Sequence, residues 1–252
     1  MLTLDELTSA LYSFCAAVTK EREESHGVMH MNEVKNNAME IWNSEKTKYD
    51  DLDIEHVSAL IVAVALLHDV ADHKYGDVER QTQLMENELH KYFSPENVGL
   101  IIEIIGKISY SKEAKLRMSG VIPTWDELGP EGRLVRNIVS DADKLEAIGV
   151  IGVVRCMQYT AEKLREKHEP VTIAHLVNRL VEHGHEKLFI LKDEYIRTET
   201  GKNLAEVKHA VMMAEIDKLT DFVKRNPLCA DPSFVLNEEE DVLKLLVECI
   251  GN

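Results

Sequence analysis

Nine consecutive apolar residues end in a histidine and an aspartate: ALIVAVALLHD, residues 59–69. A helix with no polar face must be covered by protein on every side. The run from Ala59 to Leu67 is far shorter than the roughly 20 residues needed to cross a bilayer, so the cover has to come from other parts of the same chain. His68 and Asp69 then arrive together at the end of a buried helix, over about residues 54–69. Burying two such groups without partners is costly, so the fold has to bring partners to them.

The rest of the chain is patterned to supply that cover. Apolar residues recur at three- and four-residue steps almost throughout, with no convincing two-residue alternation. The spacing predicts helices over about 3–20, 28–45 and 77–93. A further helix starts at Ser94, which can cap it, with Pro95 in the first helical position. Residues 119–132 hold two prolines and three glycines and read as a loop. A helix then carries RLVRNIVSDADKLEAIGVIGVVR, Thr172 can cap the next, and a long helix fits about 186–224. NPLCADPS breaks the chain at 226–233, and Glu238 to Ile250 reads as a short amphipathic helix with Val242, Leu245, Leu246 and Cys249 on one side. The expected architecture is all-α: a single helical-bundle domain over 1–225, then a linker and C-terminal amphipathic helix over 226–252.

Composition narrows the function. Of 252 residues, 44% are hydrophobic and 29% charged, ordinary values for a globular domain. The net charge is -16, and no dense basic patch offsets it, which argues against nucleic acid as a partner. No membrane partner is expected; a homodimer is left open. The acidic start MLTLDEL lacks the basic region of a signal peptide, and four scattered cysteines (Cys15, Cys156, Cys229, Cys249) read as free thiols. A cytoplasmic location is the expectation. An anionic substrate would approach this charge only if a metal ion or focused Lys and Arg groups met it at the site.

Three helices bring polar groups onto apolar stripes. His26 and His30 are four apart on one face, and His30 aligns with Val34, Ala38 and Ile41, so it points inward. His68 and Asp69 close the buried run. SDADKLEAIG places Asp141 and Asp143 in an apolar context. Two imidazoles and two carboxylates suit one divalent ion of the Mn, Fe, Co, Ni or Zn group, with Mg admissible, rather than calcium. His183 and His185 sit among charges and read as a solvated turn; His73 reads as local to its loop.

These motifs, in this order, resemble the HD-domain metal-dependent phosphohydrolases. SHGVMHMNEVKNNA resembles the opening histidine motif, with Met29 where a tryptophan is common. LLHDVADHK resembles a subgroup that reads HD-x-x-D-x-K. IIGKISYS, EGRLVRNIVSDADKLEAIGVIGVVR and KLFILKDEYIRTETGKNLAEVKHAVMMAEIDKL resemble its later helices, with Lys144 where arginine is more usual. The likeness covers about residues 20 to 222; the remaining C-terminal segment has no counterpart in it.

The resemblance implies His30, His68, Asp69 and Asp143 as metal ligands. It implies Asp69, Asp72 and Lys74 as catalytic groups, and His26, Asp141, Arg155 and Lys202 as groups that meet substrate. In a helix Asp141 and Asp143 point about 200° apart, so one of the two turns away from the metal. The implied activity is metal-dependent hydrolysis of nucleotides or related small phosphate esters, with nucleoside triphosphate to monophosphate plus pyrophosphate as the subgroup expectation. Two other functions fit the same residues: a metal-binding regulatory module without turnover, and a diiron oxygenase, which would need two further histidines at the site.

Overall fold

The structure, a computed structural model, describes residues 2–20, 27–71 and 77–231. The described residues are helical throughout, with no strand among them. By compactness the chain divides into two units, Met1–Asp143 with Arg197–Gly201, and Lys144–Ile196 with Lys202–Asn252. That division is finer than the single domain anticipated over 1–225. The anticipated helix over 238–250 lies outside the described residues.

In the first unit, α1 (Leu4–Val18), α2 (Val28–Glu45) and α5 (Pro95–Ile105) pack around α3 (Ile54–Leu67). Val57 and every residue from Leu60 to Leu67 are buried, as the unbroken apolar run requires. Asp53 starts α3 by accepting hydrogen bonds from the backbone N–H groups of Glu55 and His56. The largest fully buried side chain, Trp42 of α2, donates its indole N–H to Ser58 Oγ at 2.8 Å. That bond satisfies the polar end of Trp42 and joins α2 to α3. Helix α4 (Val78–Leu89) packs on α5, where Ser94 and Pro95 act as the sequence suggests. Helix α6 (Tyr110–Met118) forms in a stretch where the periodicity gives no separate helix, and α7 (Gly129–Glu146) follows.

In the second unit, α8 (Gly149–Glu166) packs on α9 (Ile173–His183), which Thr172 caps as expected. Two π-helical turns, Gly184–Leu188 and Leu191–Tyr195, lead to α10 (Glu199–Arg225).

Two helix expectations are corrected. The helix expected to run unbroken through RLVRNIVSDADKLEAIGVIGVVR stops at Glu146 and restarts at Gly149, whose φ of +82° is open to glycine at little cost. The long helix expected over 186–224 is interrupted at Ile196, which is extended (φ −83°, ψ 130°). The break has a tertiary cause: the backbone N–H groups of Arg197 and Thr198 are captured by a buried carboxylate from α7.

The central place of α3 sets an expectation for stability. Leu60→Ala should cost about 2–5 kcal/mol in urea unfolding, the usual range for emptying a fully buried leucine site. A loss well below that range would mean that α3 is not the centre of the first unit.

Candidate metal centre

His30 lies in the first turn of α2, a helix whose buried stripe also carries Met31, Val34, Ala38 and Ile41. The stripe points the imidazole inward, leaving it 8% exposed. His68 is the residue that ends α3, and Asp69 follows it. Asp143 comes from the last turns of α7. Residues from three helices thus meet in one place, all within the first unit.

The donor atoms converge closely. His30 Nε2 is 3.4 Å from Asp143 Oδ1 and 3.7 Å from Asp69 Oδ2. His68 Nε2 is 3.6 Å from Asp69 Oδ1 and 3.7 Å from Asp143 Oδ1. The two imidazole rings meet edge to face at 5.4 Å. His30, His68 and Asp69 each offer one ligand atom within 4.8 Å of the others. Tetrahedral ligands at about 2.0–2.2 Å from one ion sit about 3.3–3.6 Å from each other, so the approaches of 3.4 to 3.7 Å between the imidazoles and carboxylates suit a small divalent cation.

The tautomer of His68 decides what the site can hold. Its Nδ1 lies 2.7 Å from the carbonyl oxygen of Ala65. A carbonyl only accepts, so Nδ1 carries a proton and donates it. The other nitrogen, Nε2, is buried, has no hydrogen-bond partner among the described residues and faces the two carboxylates. In the neutral ring that nitrogen is a lone pair aimed at the site, the arrangement that a metal-ligating histidine adopts.

The electrostatics agree. Burial works against a charged His68, but the Asp69 carboxylate and then Asp143 outweigh it and push its pKa up to about 9. Burial alone would raise the Asp143 carboxyl; the facing imidazoles of His30 and His68 hold it well below the usual carboxylate range instead. The two carboxylates therefore favour positive charge at this place.

The other residues singled out from the sequence fall in three places. His26, Asp72 and Lys74 lie outside the described residues, as does His73. Arg155, on α8, and Lys202, exposed in the first turn of α10, belong to the second unit; Arg155 Nη1 is 3.9 Å from Glu146 Oε2. Asp141, read from the sequence as a group that supports the ligands or meets substrate, is completely buried. Its carboxylate accepts from the backbone N–H of Arg197 (2.9 and 3.0 Å), the N–H of Thr198 (2.7 Å) and the Thr198 hydroxyl (2.8 Å). Glu45, Glu113 and Thr198 were not foreseen from the sequence. Thr198 carries one usable signal, a threonine three residues before Gly201 in the position of a helix N-cap.

The fold resembles that of solved structures that include an HD-superfamily hydrolase. It matches the crystal structure of an HD-superfamily hydrolase from Bacillus thuringiensis at a TM-score of 0.61 and 23% identity, covering 89% of this chain and all of that one. The structure of Bacillus subtilis YpgQ in complex with ADP matches at 0.61 and 24% identity, over 90% of this chain and 98% of YpgQ. In sequence the chain is 27% identical to YpgQ from Bacillus subtilis strain 168 over 205 residues, 81% of this chain and 87% of YpgQ. No protein-family model matches the chain. Among the described residues, no helix is long and apolar enough to cross a membrane.

The raised pKa of His68 yields a signed prediction for the chelator-treated protein. A group whose folded pKa lies above its unfolded value of 6.5 stabilises the fold fully below pH 6.5, and that contribution fades as pH rises through about 9. The urea midpoint should therefore fall over that window in the wild type and stay flatter in His68→Gln. The same fall in both proteins would show that another group titrates.

Proposed function

We propose that this chain is a divalent-metal-dependent phosphohydrolase of nucleotides or related small phosphate esters, with His30, His68, Asp69 and Asp143 as the metal ligands. The observation that carries the reading is the His68 ring: one nitrogen committed to Ala65 and the other buried and aimed at two carboxylates beside a second imidazole. The shared fold with an HD-superfamily hydrolase and with ADP-bound YpgQ supports phosphoryl chemistry on a nucleotide-like ligand.

When bound, a divalent ion supplies an acidified water near neutral pH and a Lewis-acid contact to a phosphoryl oxygen. The chain's own residues do the rest. His30 and His68, buried and oriented by their helices, hold their rings without a conformational search. Asp69 and Asp143 are about a quarter exposed, so each can meet an ion on one side and solvent or substrate on the other. Asp69, or Asp72 four residues after His68 in sequence, is the carboxylate proposed to orient the attacking water. Lys74 is proposed to meet a phosphate, a task that matters in a protein of charge -16. Cleavage of a nucleoside triphosphate to monophosphate and pyrophosphate is the specific reaction proposed: water oxygen joins the α-phosphorus and pyrophosphate leaves.

Two experiments test this. The first is a screen of nucleotides for phosphate and pyrophosphate release in the presence of Mn²⁺, alongside metal analysis. The wild type should bind metal and release pyrophosphate, and Asp143→Asn should do neither. Absence of release from every nucleotide tested would overturn the hydrolase assignment, and full metal content in Asp143→Asn would overturn its place among the ligands. The second is Lys74→Ala, which should keep its metal while kcat/KM falls roughly ten- to a thousandfold, the loss of one charge-assisted phosphate contact. A wild-type rate on the best nucleotide would remove Lys74 from the site.

A further inference from the structure

Five residues from far along the chain, Arg197–Gly201, are built into the first unit. Three carboxylates hold them there, and one bond within the segment closes its turn. Asp141 of α7 takes the N–H groups of Arg197 and Thr198 and the Thr198 hydroxyl. Glu45, the last residue of α2, takes the N–H of Thr200 at 2.6 Å. The Thr198 hydroxyl oxygen accepts from the N–H of Gly201 at 3.1 Å. Glu113 of α6 accepts from Arg197 Nη2 at 2.5 Å and from Arg136 Nη2 at 2.6 Å. Asp141, Glu45 and Glu113 are all buried. A buried carboxylate is tolerated only when its oxygens are used, and at Asp141 and Glu45 most of these donors are backbone N–H groups. Such donors cannot swing to new positions as a lysine can.

Two of the three helices held, α2 and α7, carry proposed ligands. Glu45 closes α2, whose first turn presents His30. Asp141 stands two residues before Asp143 on α7. The third ligand helix, α3, is joined to α2 by the bond from Trp42 to Ser58. We propose that Arg197–Gly201 is a clamp that fixes α2 against α7, and so sets the 3.4 Å approach of His30 Nε2 to Asp143 Oδ1. Asp141, Glu45 and Thr198 are then positioning residues. None of them touches the ion; each acts through the helix that does. This inference rests on the metal-centre reading given above.

The test uses the full chain and reads metal binding rather than turnover. Mn²⁺ affinity is measured by calorimetry, and the visible spectrum of the Co²⁺ form reports coordination geometry. Thr198→Val removes the hydroxyl from Asp141 and from Gly201 while keeping the backbone bonds; Thr198→Ser keeps the hydroxyl. Thr198→Val should weaken Mn²⁺ binding about ten- to a hundredfold, the usual cost of loosening the support of a metal ligand, and should alter the Co²⁺ spectrum. Thr198→Ser should restore both. Met85→Ala, in the buried face of α4, lowers stability away from the clamp and should leave affinity and spectrum unchanged. Should Thr198→Val fail to fold, Glu45→Gln probes the other arm, with weaker Mn²⁺ binding expected. The clamp is overturned if the folded clamp variant binds Mn²⁺ as the wild type does, or if Met85→Ala weakens binding equally. A wild-type protein that binds neither Mn²⁺ nor Co²⁺ overturns the metal centre itself, and with it the clamp.

Discussion

The site depends on one short hydrogen bond, from His68 Nδ1 to the carbonyl oxygen of Ala65 at 2.7 Å. The last carbonyls of an α-helix have no partner within the helix. In α3 the residues that carry them are buried, so water cannot satisfy them cheaply. His68, one residue past the helix, turns its ring back and satisfies one of them. The same bond removes the ambiguity of imidazole: the proton stays on Nδ1, and Nε2 faces Asp69 and Asp143. Helix termination and the orientation of the His68 ring are thus one event, and α3 must be buried on every side for the bond to matter.

Charge explains why such a site suits an acidic chain. At a net charge of -16, a polyphosphate meets repulsion over much of the surface. Two carboxylates at the edge of the core add to that repulsion locally unless something positive lies between them. Protonating His68 answers part of the demand, as its raised pKa indicates. A divalent cation would answer it more fully and, on the proposed function, leave charge over for a phosphoryl oxygen. The features that make the metal-free arrangement costly are the features that would favour a cation there.

Much of this is legible in the chain because it is local. The run Ala59–Leu67 declares its own burial, the inward phase of His30 follows from Val34, Ala38 and Ile41, and Ser94 and Thr172 mark helix starts by their chemistry. What escapes is non-local. No glycine or proline in KDEYIRTET announces a break, and the break at Ile196 exists because a carboxylate more than fifty positions earlier in sequence captures Arg197 and Thr198. Asp141 is hard to place for the same reason: its apolar neighbours indicate burial, but nothing near it in sequence names its partners. The interruption before Gly149 is visible in principle, since IGVIG carries two glycines. A side chain at Gly152 would strike the carbonyl of Ala147, its Cβ lying 2.2 Å from that oxygen.

The pair Asp141 and Asp143 shows how one helix does two jobs. Their angular separation of about 200° puts them on opposite faces of α7, with Ala142 fully buried between them. One carboxylate faces the two histidines, and the other holds Arg197 and Thr198. Because both project from the same rigid turn, a rotation of α7 that improved one contact would spoil the other. Each carboxylate therefore limits the error of its partner, and the arrangement holds the helix in a single phase. A lone aspartate at the metal would have no such constraint, since a helix packed only by apolar contacts can slide and rotate by small amounts at little cost. Two acidic residues with one alanine between them convert hydrogen bonding on one face into geometric precision on the other.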